Sequence, residues 1–395
     1  MVTRFKSFVE NLSTTVGEKN EIDEIMSVPI IIQRVFGHQV LDPEWRWRKF
    51  YKHKTFEVLL MAYVILGTLE IIKTTNDVKV IVEAGYTLTI LFTCAIKLVI
   101  FINSRSVFRK VYYLAKSKLL NAIKADCRNT EDILNKCKKI VYAVLSVSVP
   151  SAAVYELTTF WNYINGKRSF LSRSTATLMP MTSPYFELAW VLHSIFFLEI
   201  CVVVLVIDAW FVFFVYMYCA ASDTLVNILR VPQKGDNKSG ISYAKRLNLN
   251  LRKFYRTHII QIEYFNELQI MYKWLALVPL FNAAVCMCIV LVVISKDMNY
   301  RFAFHVLPLL GEIFVYSYYG EQIKTKTRDI EKALLNFDWY NMSNNDKLNY
   351  FNILTYMQKK FAIKVANNKD LCMVTMTAVL KLTYQAYTVL QSFDS

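Results

Sequence analysis

The sequence predicts an all-α membrane protein: seven transmembrane helices, N-terminus inside and C-terminus outside, with an intracellular helical anchor domain. Three observations carry this. The 395 residues are 55% apolar and 14% aromatic, with a mean hydropathy of +0.29, against roughly 45–50% apolar in soluble domains. Apolar runs of about 20 residues, the length that crosses a bilayer, recur along the chain. Finally, Lys and Arg crowd every second connection. Nine precede residue 56, ten fall in 103–139, eight in 220–271 and eight in 325–370, against two, three and two in the alternate connections and none between the last span and its end. Lys and Arg are retained on the cytoplasmic side, so this alternation sets the orientation.

Residues 1–55 are polar, with one apolar patch at Val28 to Phe36, closed by Gly37, that is too short to span and is expected to be re-entrant or interfacial. Residues 1–24 lack the apolar core of a cleavable signal. The seven spans are placed at 56–72, 79–102, 139–163, 185–219, 272–295, 301–323 and 371–393. The chain thus divides into the inner N-terminal region, helices one to four (56–219), an inner helical extension (220–271), helices five and six (272–323), an inner anchor segment (324–370) and a last helix (371–395). Leu247, Leu251, Phe254, His258 and Ile262 recur at helical spacing in 220–271. Trp339, Tyr340, Phe351, Tyr356 and Phe361 need burial, so the two inner stretches are expected to pack as one domain.

The net charge of +15 lies in the connections between spans, which fits topology and inner-leaflet lipid, with no nucleic-acid partner. Cys94, Cys127, Cys137, Cys201, Cys219, Cys286, Cys288 and Cys372 all avoid the expected outer loops, so no structural disulfide is expected. Asn11, Asn237 and Asn341 begin sequons on the inner side and should stay unglycosylated. No phosphate loop, HExxH or Gly-x-Ser-x-Gly elbow is present, and the five histidines are dispersed. An enzyme, a metal and a cofactor are therefore not expected. Glu156, Glu199, Asp208 and Glu312 fall inside spans and read equally well as orienting groups or functional ones. The Asp-Arg-Tyr and Asn-Pro-x-x-Tyr motifs of rhodopsin-like receptors are missing.

The C-terminal third carries a set of motifs: Gly320-Glu-Gln-Ile323, Ala333 to Tyr340 with Trp339-Tyr340, Gln358-Lys359, Val379-Leu380-Lys381, then Tyr384, Tyr387, Thr388 and Leu390. His258 stands before the fifth span, and Gly37 to Pro43 adds a weaker N-terminal match. Together these resemble the insect odorant receptor family. Lys360-Phe361 departs from the Pro that often follows Gln-Lys there. Gln391-Ser392-Phe393 breaks the spacing typical of insect gustatory receptors, the alternative within that ancestry. A seven-helix metabotropic receptor and a small-molecule transporter are the alternatives from other classes.

The resemblance implies an odorant-gated, non-selective cation channel in the plasma membrane of olfactory sensory neurons. A heterotetramer with the odorant co-receptor would surround one pore lined by each seventh helix. The large insertion after helix four expected of the co-receptor is missing, so this chain would be the ligand-specific subunit. A volatile ligand would enter an apolar cavity in the outer half of the bundle. Helical spacing offers Tyr86, Thr87 and Ile90 on helix two and Ser151, Val154, Tyr155, Thr158 and Trp161 on helix three. Helix four offers Trp190, His193, Ser194 and Phe197, and helix six His305 and Leu309, beside Pro308 and Glu312. A terpenoid or ester is the expected ligand class. Pore and gate residues are taken as Thr383, Tyr387, Val389, Leu390, Gln391 and Asp394, with Leu390 and Val389 as the apolar constriction.

Overall fold

The structure is a computed structural model that describes residues 21–38, 40–43, 47–75, 78–126, 129–147, 149–168, 180–230, 242–296, 300–357, 361–366 and 368–392. It is all-helical, with no strand among the described residues; one isolated bridge pairs Lys364 with Asp370. In chain order the helices are α1 (Glu21–Ile25), α2 (Ser27–Val35), α3 (Trp47–Thr74), α4 (Val78–Asn103), α5 (Arg105–Tyr113), α6 (Leu120–Asp126), α7 (Thr130–Ser146), α8 (Val149–Ile164), α9 (Tyr185–Leu229), α10 (Tyr243–Leu275), α11 (Leu277–Lys296), α12 (Tyr300–Leu335), α13 (Asn344–Met357) and α14 (Met373–Ser392).

Three stretches among the described residues are long and apolar enough to cross a membrane: Ala84–Asn103, Tyr185–Leu229 and Tyr243–Ser295. Their lipid-facing character is visible in Phe92, Ile96, Leu188, Ile195, Leu198 and Phe281, large apolar side chains left exposed along the helices. The 45 residues of α9 and the 36 of α12 run about 68 and 54 Å, well beyond the roughly 30 Å of a bilayer core. Both must project past it. The α10 half of the third stretch carries Lys245, Arg246, Arg252, Lys253 and Arg256, so the apolar crossing belongs to α11.

Two expected spans are broken, each at a proline. The stretch 139–163 divides into α7 and α8, with Pro150 in the first turn of α8. Pro279 lies in the first turn of α11, and its ring opposes the carbonyl of Leu275, where α10 ends. Proline is tolerated in a first helical turn, where no intrahelical N–H bond is lost.

Helix α9 is the axis. From Val206 to Val215 every residue is buried, because α9 packs against α12, α10, α7, α4 and α2. A helix apolar on all sides needs neighbours on all sides. Trp210 meets Phe108, Tyr112, Phe213 and Phe214 in one aromatic core. The 28–36 patch forms α2, which packs on α9.

A second core gathers Leu225, Ile228 and Leu229 of α9, Leu247, Leu251 and Phe254 of α10, Ile330 and Leu334 of α12, and Tyr350 and Met357 of α13. Trp339 stacks on Tyr350 at 5.8 Å. Phe361 is buried, but Tyr340, Phe351 and Tyr356 are exposed, contrary to the expectation that all five aromatics are buried. Phe351 and Tyr356 are exposed because α13 turns its Tyr350–Met357 face inward, and Tyr340 lies in the short helical turn 339–341 before α13. Around this end, ion pairs join Lys110 to Glu267, Lys118 to Glu263, Lys116 to Asp23, Lys138 to Glu24 and Lys326 to Asp223 at 2.5–2.9 Å. Lys253 pairs with Asp126.

Candidate functional site

The bundle centre holds a charged cluster. Lys97 of α4 is 1% exposed; its Nζ donates to Asp208 Oδ1 of α9 at 2.5 Å and to Glu312 Oε1 of α12 at 2.7 Å. The Tyr316 hydroxyl donates to the same Asp208 oxygen at 2.7 Å, and its ring lies 5.5 Å from Nζ. Glu312 and Tyr316 share a face because they are four apart on a helix. Phe211 covers the cluster, stacked on Tyr316 at 4.4 Å. A lysine in an apolar span must find a partner, since an unpaired buried charge is prohibitive. The sequence alone leaves Asp208 and Glu312 open between orienting and functional roles, and it singles out no role for Lys97. Its one available signal was that rule, because the partners lie 111 and 215 residues away.

Nearer the other end of α9, an aromatic tier joins it to α8. Trp190 lies 6.1 Å from Phe160 and 5.7 Å from Tyr163, and Tyr163 stacks on Phe186 at 5.8 Å. The Ser194 hydroxyl donates to Glu156 Oε2 at 2.9 Å, and the Tyr163 hydroxyl to Glu187 Oε1 at 3.2 Å. The guanidinium of Arg168 lies over Phe186 at 5.8 Å.

The expected ligand residues separate on this geometry. Trp190 and Ser194 join the tier, His193 is buried beside them on α9, and Phe197 is half-buried. Trp161, 65% exposed, and Val154 turn to the bare face of α8 with Leu157 and Ile164. Among the described residues of α8, Glu156, Thr159 and Tyr163 turn toward the bundle. Thr158 donates to the Val154 carbonyl at 2.5 Å. Tyr86 is buried on α4. Thr87 and Ile90 are half-buried on α4, and Leu309 is buried on α12. The side chains of Ser151, Tyr155, His305 and Leu390, and all of Asp394, lie outside the described residues.

The last helix is held at its start. Phe361, Ile363, Val365, Leu371 and Cys372 are buried in the turn that precedes α14. Gln269 of α10 clamps both backbone groups of Lys364, donating to its carbonyl at 2.7 Å and accepting from its N–H at 2.7 Å. Leu371 donates to the Ile363 carbonyl at 2.7 Å, and Asn368 takes a positive φ of 59° at the tip. Beyond this tether α14 packs on one side only. Met376, Val379 and Leu380 contact the core, and Thr383, 4% exposed, donates to the carbonyl of Val379 at 3.0 Å. Tyr387 lies half-buried on the same side. The opposite stripe, Thr377, Lys381, Tyr384, Thr388 and Gln391, is exposed, with Val389 at its edge. Thr383 and Tyr387 thus sit on the packed side, whereas Val389 and Gln391 lie on the bare one.

Beside the second core, His258 stacks on Phe254 at 5.3 Å, with Tyr356 and Phe361 edge-on at 6.4 Å. Burial lowers its pKa to about 4, because the charged imidazolium loses water without gaining a counter-charge.

Among the described residues no group of His, Cys, Asp or Glu is arranged to hold a metal ion, and the described cysteines are unbridged.

The fold is shared with solved receptors. The insect olfactory receptor OR5 from Machilis hrabei in complex with eugenol superposes with a TM-score of 0.71 at 13% identity, over 95% of this chain and 100% of that one. The structure of the same receptor described without eugenol gives a TM-score of 0.70 at 12% identity, over 93% and 98%. No curated protein matches by sequence. The family model described as 7tm Odorant receptor matches residues 77–384. That match takes in α4 to most of α14, including the Lys97 cluster, the aromatic tier and the tethered last helix, and the chain belongs to the 7tm odorant receptor family.

Proposed function

We propose that this chain is the ligand-specific subunit of an odorant-gated, non-selective cation channel. It crosses the plasma membrane of an olfactory sensory neuron seven times, N-terminus inside and C-terminus outside. A small volatile ligand binds in the outer half of the bundle, and the last helix lines a pore in a heterotetramer with odorant co-receptor subunits. The alternation of Lys and Arg supports the orientation.

The observation that carries the channel reading is the stripe on α14. Thr377, Lys381, Tyr384, Thr388 and Gln391 recur at helical spacing on a bare face, and each of the five brings a hydroxyl, amide or ammonium group. Lipid disfavours such a stripe; a water-filled conduit favours it. A ligand that fits better when the bundle is displaced toward the open arrangement shifts the population that way. The eugenol bound to OR5 of Machilis hrabei makes a small volatile ligand reasonable here.

The deciding experiment co-expresses the chain with the co-receptor and records currents over an odorant panel, with a C-terminal tag tested on intact cells. Ligand-evoked cation current and an accessible tag support the reading. A tag reached only after permeabilisation overturns it.

A further inference from the structure

Two buried polar atoms of the aromatic tier have no hydrogen-bond partner among the described residues. Glu156 uses Oε2 for Ser194, and its Oε1 is buried with no donor; Trp190 Nε1 is buried with no acceptor. They lie on facing helix surfaces. Trp190 is one turn before Ser194 on α9, Phe160 is one turn after Glu156 on α8, and Phe160 and Trp190 are in ring contact at 6.1 Å. Glu187 Oε2 is also without a hydrogen-bond partner among the described residues, but the guanidinium of Arg168 stands over the neighbouring Phe186 at this end of α9. No cation is set against Glu156 among the described contacts.

The chemistry of the pair is restrictive. A carboxylate oxygen accepts, and an indole N–H donates. Leaving either buried and unfilled is unfavourable. An ester, ether or ketone only accepts, so it serves Trp190 and leaves Glu156 unfilled. A protonated amine only donates, so it serves Glu156 and leaves Trp190 unfilled. A hydroxyl does both. The rings of Phe160, Tyr163 and Phe186 supply apolar surface for the carbon skeleton.

We propose that the ligand of this receptor is an alcohol or phenol, held between α8 and α9 with its hydroxyl donating to Glu156 and accepting from Trp190. This rests on the reading of the chain as a ligand-gated channel subunit; within the terpenoid-or-ester class expected from the sequence it favours hydroxyl-bearing members over esters.

The test records dose–response currents from the chain co-expressed with the co-receptor. The probes are alkan-1-ols from butanol to decanol, 2-phenylethanol and 4-ethylphenol, each with its methyl ether, plus the matching alkyl acetates and alkylamines. The alcohols or phenol are expected to be at least about tenfold more potent than their ethers. Glu156→Leu and Trp190→Phe should each collapse that ratio toward one; Trp190→Phe keeps the ring and is the informative variant if Glu156→Leu fails to reach the surface. Which of the hydroxyl probes is preferred separates the aliphatic from the phenolic source. Ethers, acetates or amines as potent as the hydroxyl compounds overturn the proposal and leave the channel reading standing; that is also the outcome if ordered water fills the pair in every state. A hydroxyl preference that survives both variants overturns the assignment to this pair. No current to any odorant, with normal surface expression, overturns the channel reading and this proposal with it.

Discussion

Gly320 of α12 lies against the backbone of Leu371: a β-carbon on Gly320 would overlap the Leu371 carbonyl oxygen, with the carbonyl carbon at 2.9 Å and Leu371 Cγ at 3.0 Å. The tightest contacts are backbone atoms, which cannot swing aside. Gly320→Ala should therefore push the start of the last helix off α12, with an overpacking cost of about 1–3 kcal/mol. A lowered melting temperature of the detergent-purified protein and a changed basal current are expected. Wild-type melting in Gly320→Ala would mean that the contact is loose.

Removing the ammonium of Lys97 leaves Asp208 and Glu312 facing each other without a counter-charge. Lys97→Met should destabilise the bundle by about 3–5 kcal/mol, the range for breaking a buried pair from one side. The triple variant Lys97→Met, Asp208→Asn, Glu312→Gln should recover much of that, since the buried charges go together. Surface biotinylation and thermal melting read both. A triple variant no better than Lys97→Met would show that the cluster is not an electrostatic unit.

His258 predicts acid sensitivity outside the membrane. Its pKa of about 4 lies below the unfolded value of 6.5, so between these the unfolded chain binds the extra proton and stability rises with pH. Its contribution is complete above 6.5 and declines as pH falls toward 4. By pH 5.5 the loss is about 1.4 kcal/mol. His258→Phe should flatten that part of the melting-temperature profile; an unchanged acid slope would rule out His258 as its source.

The two faces of α14 should respond differently to substitution. Lys381→Gln removes a positive charge from the bare stripe. If cations pass along that stripe, single-channel conductance should rise, most clearly at low ionic strength, where a fixed charge is least screened. Thr383→Val on the packed side should alter surface expression and leave conductance unchanged. The reverse pattern would place the conduit on the Thr383 side.

Much of the architecture was legible in the chain because it is local. Apolar length picks out α4, α9 and α11, but the spans expected at 139–163 and 272–295 did not show the breaks beside Pro150 and Pro279. The Gly320 and Trp339 motifs pointed to the correct family before any contact was known. Faces were harder. Spacing and residue type offer Trp161 for the ligand cavity and Thr383 for the pore, yet Trp161 is exposed on α8, and α14 buries Thr383 against its neighbours. Spacing says which residues share a face, not which face meets a neighbour.

The sequence by itself determined the helical membrane class, the distribution of positive charge and the family, since composition, periodicity and motif need no knowledge of distant contacts. Only the tertiary structure joined Lys97 to Asp208 and Glu312, set Glu156 beside Ser194, and closed Leu371 on Gly320. Those partners lie between 38 and 215 residues apart. Hydrogen bonds and ion pairs act over a few ångströms, so their pairing is decided by how the helices dock.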